Sequence, residues 1–321
     1  MKKIAIIGLG LIGGSIGLAL RAADIKGVRV VGYSRRPESA AKARRRGAVG
    51  EVAGSLASGV DGASLVILAT PVAAMEAILK EIGPVLQKGA LVTDTASTKA
   101  TVMKWAAESL PEGVSFVGGH PMAGKEIAGI EAAEGSLFRG CTYCLCPDRR
   151  AAPDAVEAVV GLVNLLGASP YFVDPTEHDS YVAAISHLPM LVSTALVAAT
   201  AGSPAWREMS RLASTGYRDT TRLASSDPVM SRDIYRTNQQ SLDKWLDVLI
   251  RELETLRKNI ADGGPELEAK LRQIKDARDR WQIGEPLIDS TTAAEPLGGW
   301  GHLLFGKLPS LLSASGGRKR I

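Results

Sequence analysis

KKIAIIGLGLIGGSIGLAL, residues 2–20, decides the fold. A short apolar run, Ile4 to Ile7, breaks at Gly8-Leu9-Gly10-Leu11-Ile12-Gly13 and resumes as an amphipathic stretch from Ser15 to Ala22. A second apolar run, Arg29 to Tyr33, follows one βαβ unit later. Strand, glycine turn and helix in that order predict a dinucleotide-binding loop. Gly8 permits the turn, Gly10 lets the backbone approach a pyrophosphate, and Gly13 lets the helix pack on the sheet. The helix start at Leu11 and Ile12 then faces the phosphates. The opening MKK and the apolar run behind it resemble a secretory leader. Glycines at 8, 10, 13, 14 and 17 weaken any membrane-inserted helix and argue against that reading.

From this unit outward, apolar runs alternate with helix-like segments as far as residue 174. The runs are KIAIIGLG, RVVGYS, SLVILATP, ALVTDT, VSFVGGH, CTYCLCP and SPYFVD, and the helical stretches include 39–47, 72–86, 98–110 and 153–166. Near-continuous apolar strands between helices predict a mostly parallel sheet covered on both faces, an α/β Rossmann-like doubly wound domain. Beyond Asp174-Pro175 strand-like runs vanish, and residues 175–285 are expected to form an all-α domain. There Leu242, Trp245, Leu249, Leu253, Leu256 and Ile260 make an apolar stripe at steps of three and four. Its cover is either the segment 176–201 or a partner subunit. Residues 286–321, rich in Gly, Ser and Pro and ending in GGRKRI, are expected to be a loosely ordered tail.

Charge narrows the function classes. With 38 basic and 34 acidic residues in mixed order, the chain has neither a nucleic-acid stripe nor a polybasic membrane anchor, and a small-molecule partner is expected. Cys141, Cys144 and Cys146 in CTYCLCP have a CxxC spacing, yet no fourth ligand lies nearby. They are read as part of a buried strand in a reducing, cytoplasmic compartment, with no metal.

Three strand ends carry unusual residues: Thr70-Pro71, Asp94-Thr95-Ala96-Ser97 and Gly119-His120-Pro121. In a doubly wound sheet such ends border one crevice. Thr70 and Pro71 are read as cofactor contacts. Ser97 is expected to cap the following helix, to hydrogen-bond His120, or to do both. Removing a hydride from a hydroxyl-bearing carbon also needs a base for the hydroxyl proton, and histidine suits that transfer near neutrality. Spacing alone leaves His120 as either that base or a loop residue. At the end of the second strand, Ser34-Arg35-Arg36 stands where NAD-preferring sites place a carboxylate. NAD or NADP is therefore expected, with NADP favoured if the two guanidiniums pair a 2′-phosphate.

GLGLIGGS, LATP, TDTASTK, GGHPMAGKE, EHD with ISHLP, and GYRDTTRLASSDPVMSRDI occur in this order between residues 4 and 234. Together they resemble the prephenate and arogenate dehydrogenase family of tyrosine biosynthesis. The resemblance implies a Rossmann domain joined to a helical dimerisation domain, and NAD(P)-dependent oxidative decarboxylation of prephenate to 4-hydroxyphenylpyruvate, or of arogenate to tyrosine. It implies that His120 accepts the ring-hydroxyl proton, that Ser97 orients the imidazole, and that Arg222 binds a substrate carboxylate. His178, Asp179 and His187 match the helix lining the crevice, and Lys125 could add a second positive charge for a dianion.

Two positions depart from the family pattern. Met190 stands where many members have histidine, and Ser231 where many have tryptophan, so the choice between prephenate and arogenate is left open. A dehydrogenase acting on the 4-amino-4-deoxy analogue of prephenate remains as an alternative. A β-hydroxyacid dehydrogenase would need a lysine between 183 and 201, where there is none. A non-catalytic nicotinamide sensor would have no use for His120, Ser97 and Arg222 together.

Overall fold

The computed structural model describes residues 2–125 and 127–284. Strands β1 (Lys2–Ile7), β2 (Val28–Tyr33), β3 (Glu51–Val52), β4 (Leu65–Leu68), β5 (Leu91–Asp94), β6 (Ser115–Pro121), β7 (Thr142–Pro147) and β8 (Ser169–Phe172) form one sheet in the order β3-β2-β1-β4-β5-β6-β7-β8. All neighbours are parallel except β6 and β7, whose antiparallel register sets His120 opposite Cys144. The order reverses around β1, so a crevice opens beyond the carboxyl ends of β1 and β4.

Both faces of the sheet are covered at its central strands, which explains why those strands read as unbroken apolar runs. Ile4, Ile6 and Ile67 point into a core closed by α1 (Leu11–Ala22) and α6 (Pro153–Leu165). Ala5, Ile7, Val66, Leu68 and Val92 point into a second core under α3 (Leu56–Val60), α4 (Val72–Ile82) and α5 (Ala100–Ser109). Lys3, part of the leader-like start, is buried within β1, and its Nζ donates to Ser58 O (2.9 Å) and Asp61 O (2.8 Å) at the end of α3. A cation there satisfies helix carbonyls. The cysteine-rich run is strand β7, with Cys144 and Cys146 buried and all three cysteines free. Burial raises the Cys144 thiol and pushes Cys146 up to about 12, and among the described residues no cluster suited to a metal ion occurs.

Helices follow β8. Asp174 caps α7 (Pro175–Val182) by accepting from Thr176 N (2.8 Å) and Glu177 N (3.3 Å). A π-helical turn, Ala183–His187, leads into α8 (Leu188–Ala201). Pro189 lacks the N–H that would close an α-helical bond there, and the widened turn absorbs the loss. Within the continuous helical run Pro175–Ala201, the most apolar 18-residue window has mean hydropathy 1.8, so the run is long and apolar enough to cross a membrane by length and composition alone. Next come α9 (Trp206–Leu212), α10 (Thr215–Thr221), α11 (Pro228–Thr237), α12 (Gln239–Asp262) and α13 (Pro265–Gln282).

Two compact units are distinguished among the described residues, divided between Ile250 and Arg251, and the expected tail, 286–321, lies outside the described residues. The stripe on α12 is covered within the chain chiefly at Leu242. Trp245 is 38% exposed despite donating to Ser180 O (3.1 Å), and Leu253 and Ile260 are 56% and 65% exposed.

Candidate active site

The glycine loop is held between β2 and β4: Gly8 N donates to Tyr33 O (2.9 Å), and Ala69 N donates to Ile7 O (2.7 Å). Gly8 has φ +101°, and a Cβ there would lie 2.3 Å from Ala69 O. At Gly13 a Cβ would meet Gly8 O at 1.9 Å, so any side chain would push α1 off the turn. By contrast, a Cβ on Gly10 would meet nothing within 4 Å. The loop thus keeps open space in front of α1, whose first turn has no acidic residue and no side-chain cap. Its free amides at Leu11, Ile12 and Gly13 suit a pyrophosphate. Beside Gly8, the buried Thr70 Oγ1 has no partner among the described residues, and Pro71 precedes α4. An orphaned hydroxyl and an open glycine cradle both fit a nicotinamide dinucleotide.

At the end of β2 a cavity of about 790 Å³ is lined by Ser34, Arg35, Arg44 and Arg45 among others. The arginines come from two places, since Arg44 and Arg45 lie on α2 (Pro37–Arg45). Arg36 does not line it; its backbone N–H donates to Ser34 Oγ (3.2 Å).

At the opposite side of the sheet's carboxyl edge, β6 delivers His120, 8% exposed. Its Nδ1 is 2.9 Å from His178 Nε2, and His178 Nδ1 is 2.8 Å from Asp179 Oδ1. A carboxylate only accepts, so His178 carries its proton on Nδ1 and accepts at Nε2. His120 must then donate from Nδ1, which leaves Nε2 with a lone pair. Burial first, then the charges His178, Lys99 and His187 would present, holds the His120 imidazole well below the ordinary histidine range. A neutral imidazole with a fixed tautomer and one free nitrogen is what proton abstraction requires.

Asp179 does more than hold His178. Its Oδ1 accepts from Lys99 N (2.7 Å) and its Oδ2 from Ala100 N (2.9 Å). The start of α5 is therefore capped from another helix. This corrects the expectation for Ser97, which is not the cap, because α5 begins at Ala100 with Lys99 at the cap position. Nor is Ser97 the imidazole's partner: among the described residues no hydrogen bond joins it to His120, and His178 takes that place. Ser97 is half-buried on the loop between β5 and α5.

His187 is 1% exposed on the π-helical turn. Asn238 Nδ2 donates to Asp179 O (2.7 Å) and lies 3.2 Å from His187 Nδ1. The amide donates to both, so the imidazole proton sits on Nε2, which is buried without a partner among the described residues. Burial pushes its pKa down to about 4, and the neutral ring offers one unused donor.

Lys125 forms an ion pair with Glu134 at 2.6 Å, and Glu134 N donates to Ser15 Oγ (2.9 Å) on α1. Its charge is matched within the loop, which does not favour the expected role toward a dianion. Arg222 is exposed on the turn Arg222–Ser225, which packs on α8, and Ser193 Oγ donates to Thr220 O (2.6 Å) just before it. Met190 and Ser231, the two departures noted in the sequence, touch: Ser231 Oγ lies 3.4 Å from Met190 Sδ.

Residues 16–171 match the family model "Prephenate dehydrogenase, nucleotide-binding domain", and residues 174–274 match "Prephenate dehydrogenase, dimerization domain". The chain belongs to the prephenate dehydrogenase family. Among its relatives in that family, the prephenate dehydrogenase of Bacillus subtilis is 38% identical over 88% of this chain and 76% of its own length. The crystal structure of prephenate dehydrogenase from A. aeolicus in complex with hydroxyphenyl propionate and NAD+ superposes with a TM-score of 0.81 at 31% identity, covering 88% of this chain and 98% of that one. Synechocystis arogenate dehydrogenase superposes at 0.74 with 34% identity, covering 87% and 99%. Family membership agrees with the Rossmann-like first half and the helical second half described above.

Proposed function

We propose that this chain is a NAD(P)-dependent prephenate dehydrogenase that oxidatively decarboxylates prephenate to 4-hydroxyphenylpyruvate in tyrosine biosynthesis. The observation that carries the reading is the His120–His178–Asp179 chain of hydrogen bonds, ending in a free Nε2 on the same sheet edge as the open glycine loop. His120 Nε2 takes the proton of the ring hydroxyl, and the charge it gains is shared through His178 with Asp179. A nicotinamide dinucleotide held by the glycine loop at Gly8, Gly10 and Gly13 would supply the hydride acceptor for the hydroxyl-bearing carbon. As the C–O bond becomes a carbonyl, the bond to the ring carboxylate breaks, carbon dioxide leaves with its electron pair donated to the ring, and aromatisation drives the step forward. Ser97 touches the hydroxyl region, and His187 Nε2–H gives a substrate oxygen the partner it lacks in the protein.

Arg222 holds a substrate carboxylate, because guanidinium is permanently charged and can bind it through two parallel bonds. For Arg222→Ala we expect mainly a raised KM for prephenate, with kcat/KM lowered roughly ten- to a hundredfold. An unchanged KM in steady-state assays would move the carboxylate elsewhere.

For the cofactor, the Arg-lined cavity at the end of β2 supports acceptance of a 2′-phosphate by Arg35 with Arg44 and Arg45. Fluorescence titration of NADPH and NADH onto Arg44→Ala is expected to weaken NADPH roughly tenfold and leave NADH unchanged. Equal losses for both would remove the 2′-phosphate from this cavity.

The protein is read as a cytoplasmic homodimer acting on a small molecule. The match to a dimerization domain and the open apolar stripe on α12 support a second copy as its cover. Arogenate is a second reading, favoured by the similarity to the Synechocystis enzyme. Purified protein assayed with prephenate and arogenate against NAD+ and NADP+ tests the whole reading. Prephenate is expected to give the highest kcat/KM. A higher value with arogenate would select the second reading, and no turnover with either would reject both.

A further inference from the structure

Lys99 and Asp94 are both completely buried, which is rare for either residue type. They form an ion pair inside the fold, one step behind His120. Asp94 Oδ1 accepts from Gly119 N (3.0 Å), and Asp94 Oδ2 accepts from Ala96 N (2.8 Å). Lys99 Nζ donates to Gly119 O (2.7 Å) as well as to Asp94. The pair therefore grips both backbone polar groups of the residue before His120. Lys99 also gives its own backbone N–H to Asp179, which holds His178 against His120. Two routes to the imidazole, one through β6 and one through α7, meet at this lysine.

We propose that Lys99 is a positioning residue for the His120 base, locking the strand and the helix whose joint placement fixes which imidazole nitrogen is free. The inference rests on His120 being the base and adds a residue that touches neither substrate nor cofactor. A neutral side chain of similar length would fill the slot but could not bond Gly119 O, and it would leave Asp94 uncompensated.

The groups facing His120 are His178 and Asp179 from α7, His187 from the π-helical turn, Asp94 and Lys99 from the β5–α5 segment, and Cys144 and Tyr143 from β7. With neutral histidines, Lys99 balances Asp94, and Asp179 is the one carboxylate of this set left to meet a proton arriving on His120. Removing the Lys99 charge makes protonation of His120 easier. Its midpoint should rise, and the neutral base should be lost at a higher pH.

The test uses the full chain carrying Lys99→Met and, because one buried charge left alone can unfold a protein, the pair Lys99→Met/Asp94→Asn. Thermal unfolding and NADPH binding establish that each variant is folded. NMR of labelled histidine then follows His120 with no substrate present, among the four histidines of the chain. In Lys99→Met its midpoint is expected to move up. In the double variant the single tautomer should give way to a mixture, and kcat should fall roughly ten- to a hundredfold with KM little changed. A folded double variant keeping the parent's tautomer, or a folded Lys99→Met keeping its midpoint, overturns the proposal, even if kcat falls. Absence of turnover in the parent rejects the proposed reaction instead, since the NMR readout needs no substrate.

Discussion

His120→Asn is expected to bind NAD(P)H as the parent does and to lose turnover by roughly 10²–10⁴-fold. Asparagine fits the space and can still donate to His178 Nε2, so the hydrogen-bonded frame survives. What it lacks is a nitrogen lone pair that can take a proton near neutral pH. The glycine loop and the Arg-lined cavity are built from other strands, which is why cofactor affinity should not change. Steady-state turnover with fluorescence titration of NADH reads both halves, and near-normal turnover at neutral pH would remove His120 from the chemistry.

A comparable loss, roughly 10²-fold or more in kcat, is expected for Asp179→Asn, although this residue is one imidazole removed from the base. Asp179 Oδ1 accepts from His178 Nδ1 and Lys99 N, and Oδ2 accepts from Ala100 N. An amide has one oxygen. Pointing its nitrogen at Ala100 sets donor against donor at the start of α5. Pointing it at His178 makes His178 accept at Nδ1 and donate from Nε2, straight at the proton on His120 Nδ1. Either orientation leaves a buried donor unmet, about 1–3 kcal/mol, and the second reverses the tautomer of the base. The thermal unfolding midpoint should therefore fall together with kcat, while NADH binding persists. A variant with parental kcat would show that His178 holds its tautomer without Asp179.

The fold was legible wherever local pattern and global packing agree. Residues 2–20 read correctly because a glycine loop is a local device, and the central strands were visible because both their faces are buried. β3 escaped: Glu51–Val52 is only two residues long, both exposed, and no apolar run marks it. The reversed direction of β7 was equally invisible, since side-chain alternation carries no sense of direction. In the site, His120 stood out by its place after a strand, but its partner His178 lies 58 positions along the chain. Sequence spacing cannot bring those rings together. Ser97 looked like a cap because capping is usually local; here the cap is Asp179, from a helix that packs onto α5. Lys99 sat in plain view within TDTASTK, yet a lysine in a loop reads as solvated. Arg44 and Arg45 lie outside the glycine-loop motif, and only the turn of α2 beside β2 brings them to Ser34 and Arg35.

The pH dependence of prephenate oxidation, followed as nicotinamide reduction and reported as kcat/KM, tests the central claim most directly. His120 must be neutral to act, and burial, then the charges His178, Lys99 and His187 would present, holds its pKa below the usual histidine value. Between the depressed pKa and about 6.5 the free enzyme therefore keeps its base, where an ordinary exposed histidine would already be protonated. The acid limb is predicted below 6.5, falling with slope one as His120 takes up its proton. Failure to reduce the nicotinamide with prephenate, or an acid limb at or above the ordinary histidine value, would contradict the account.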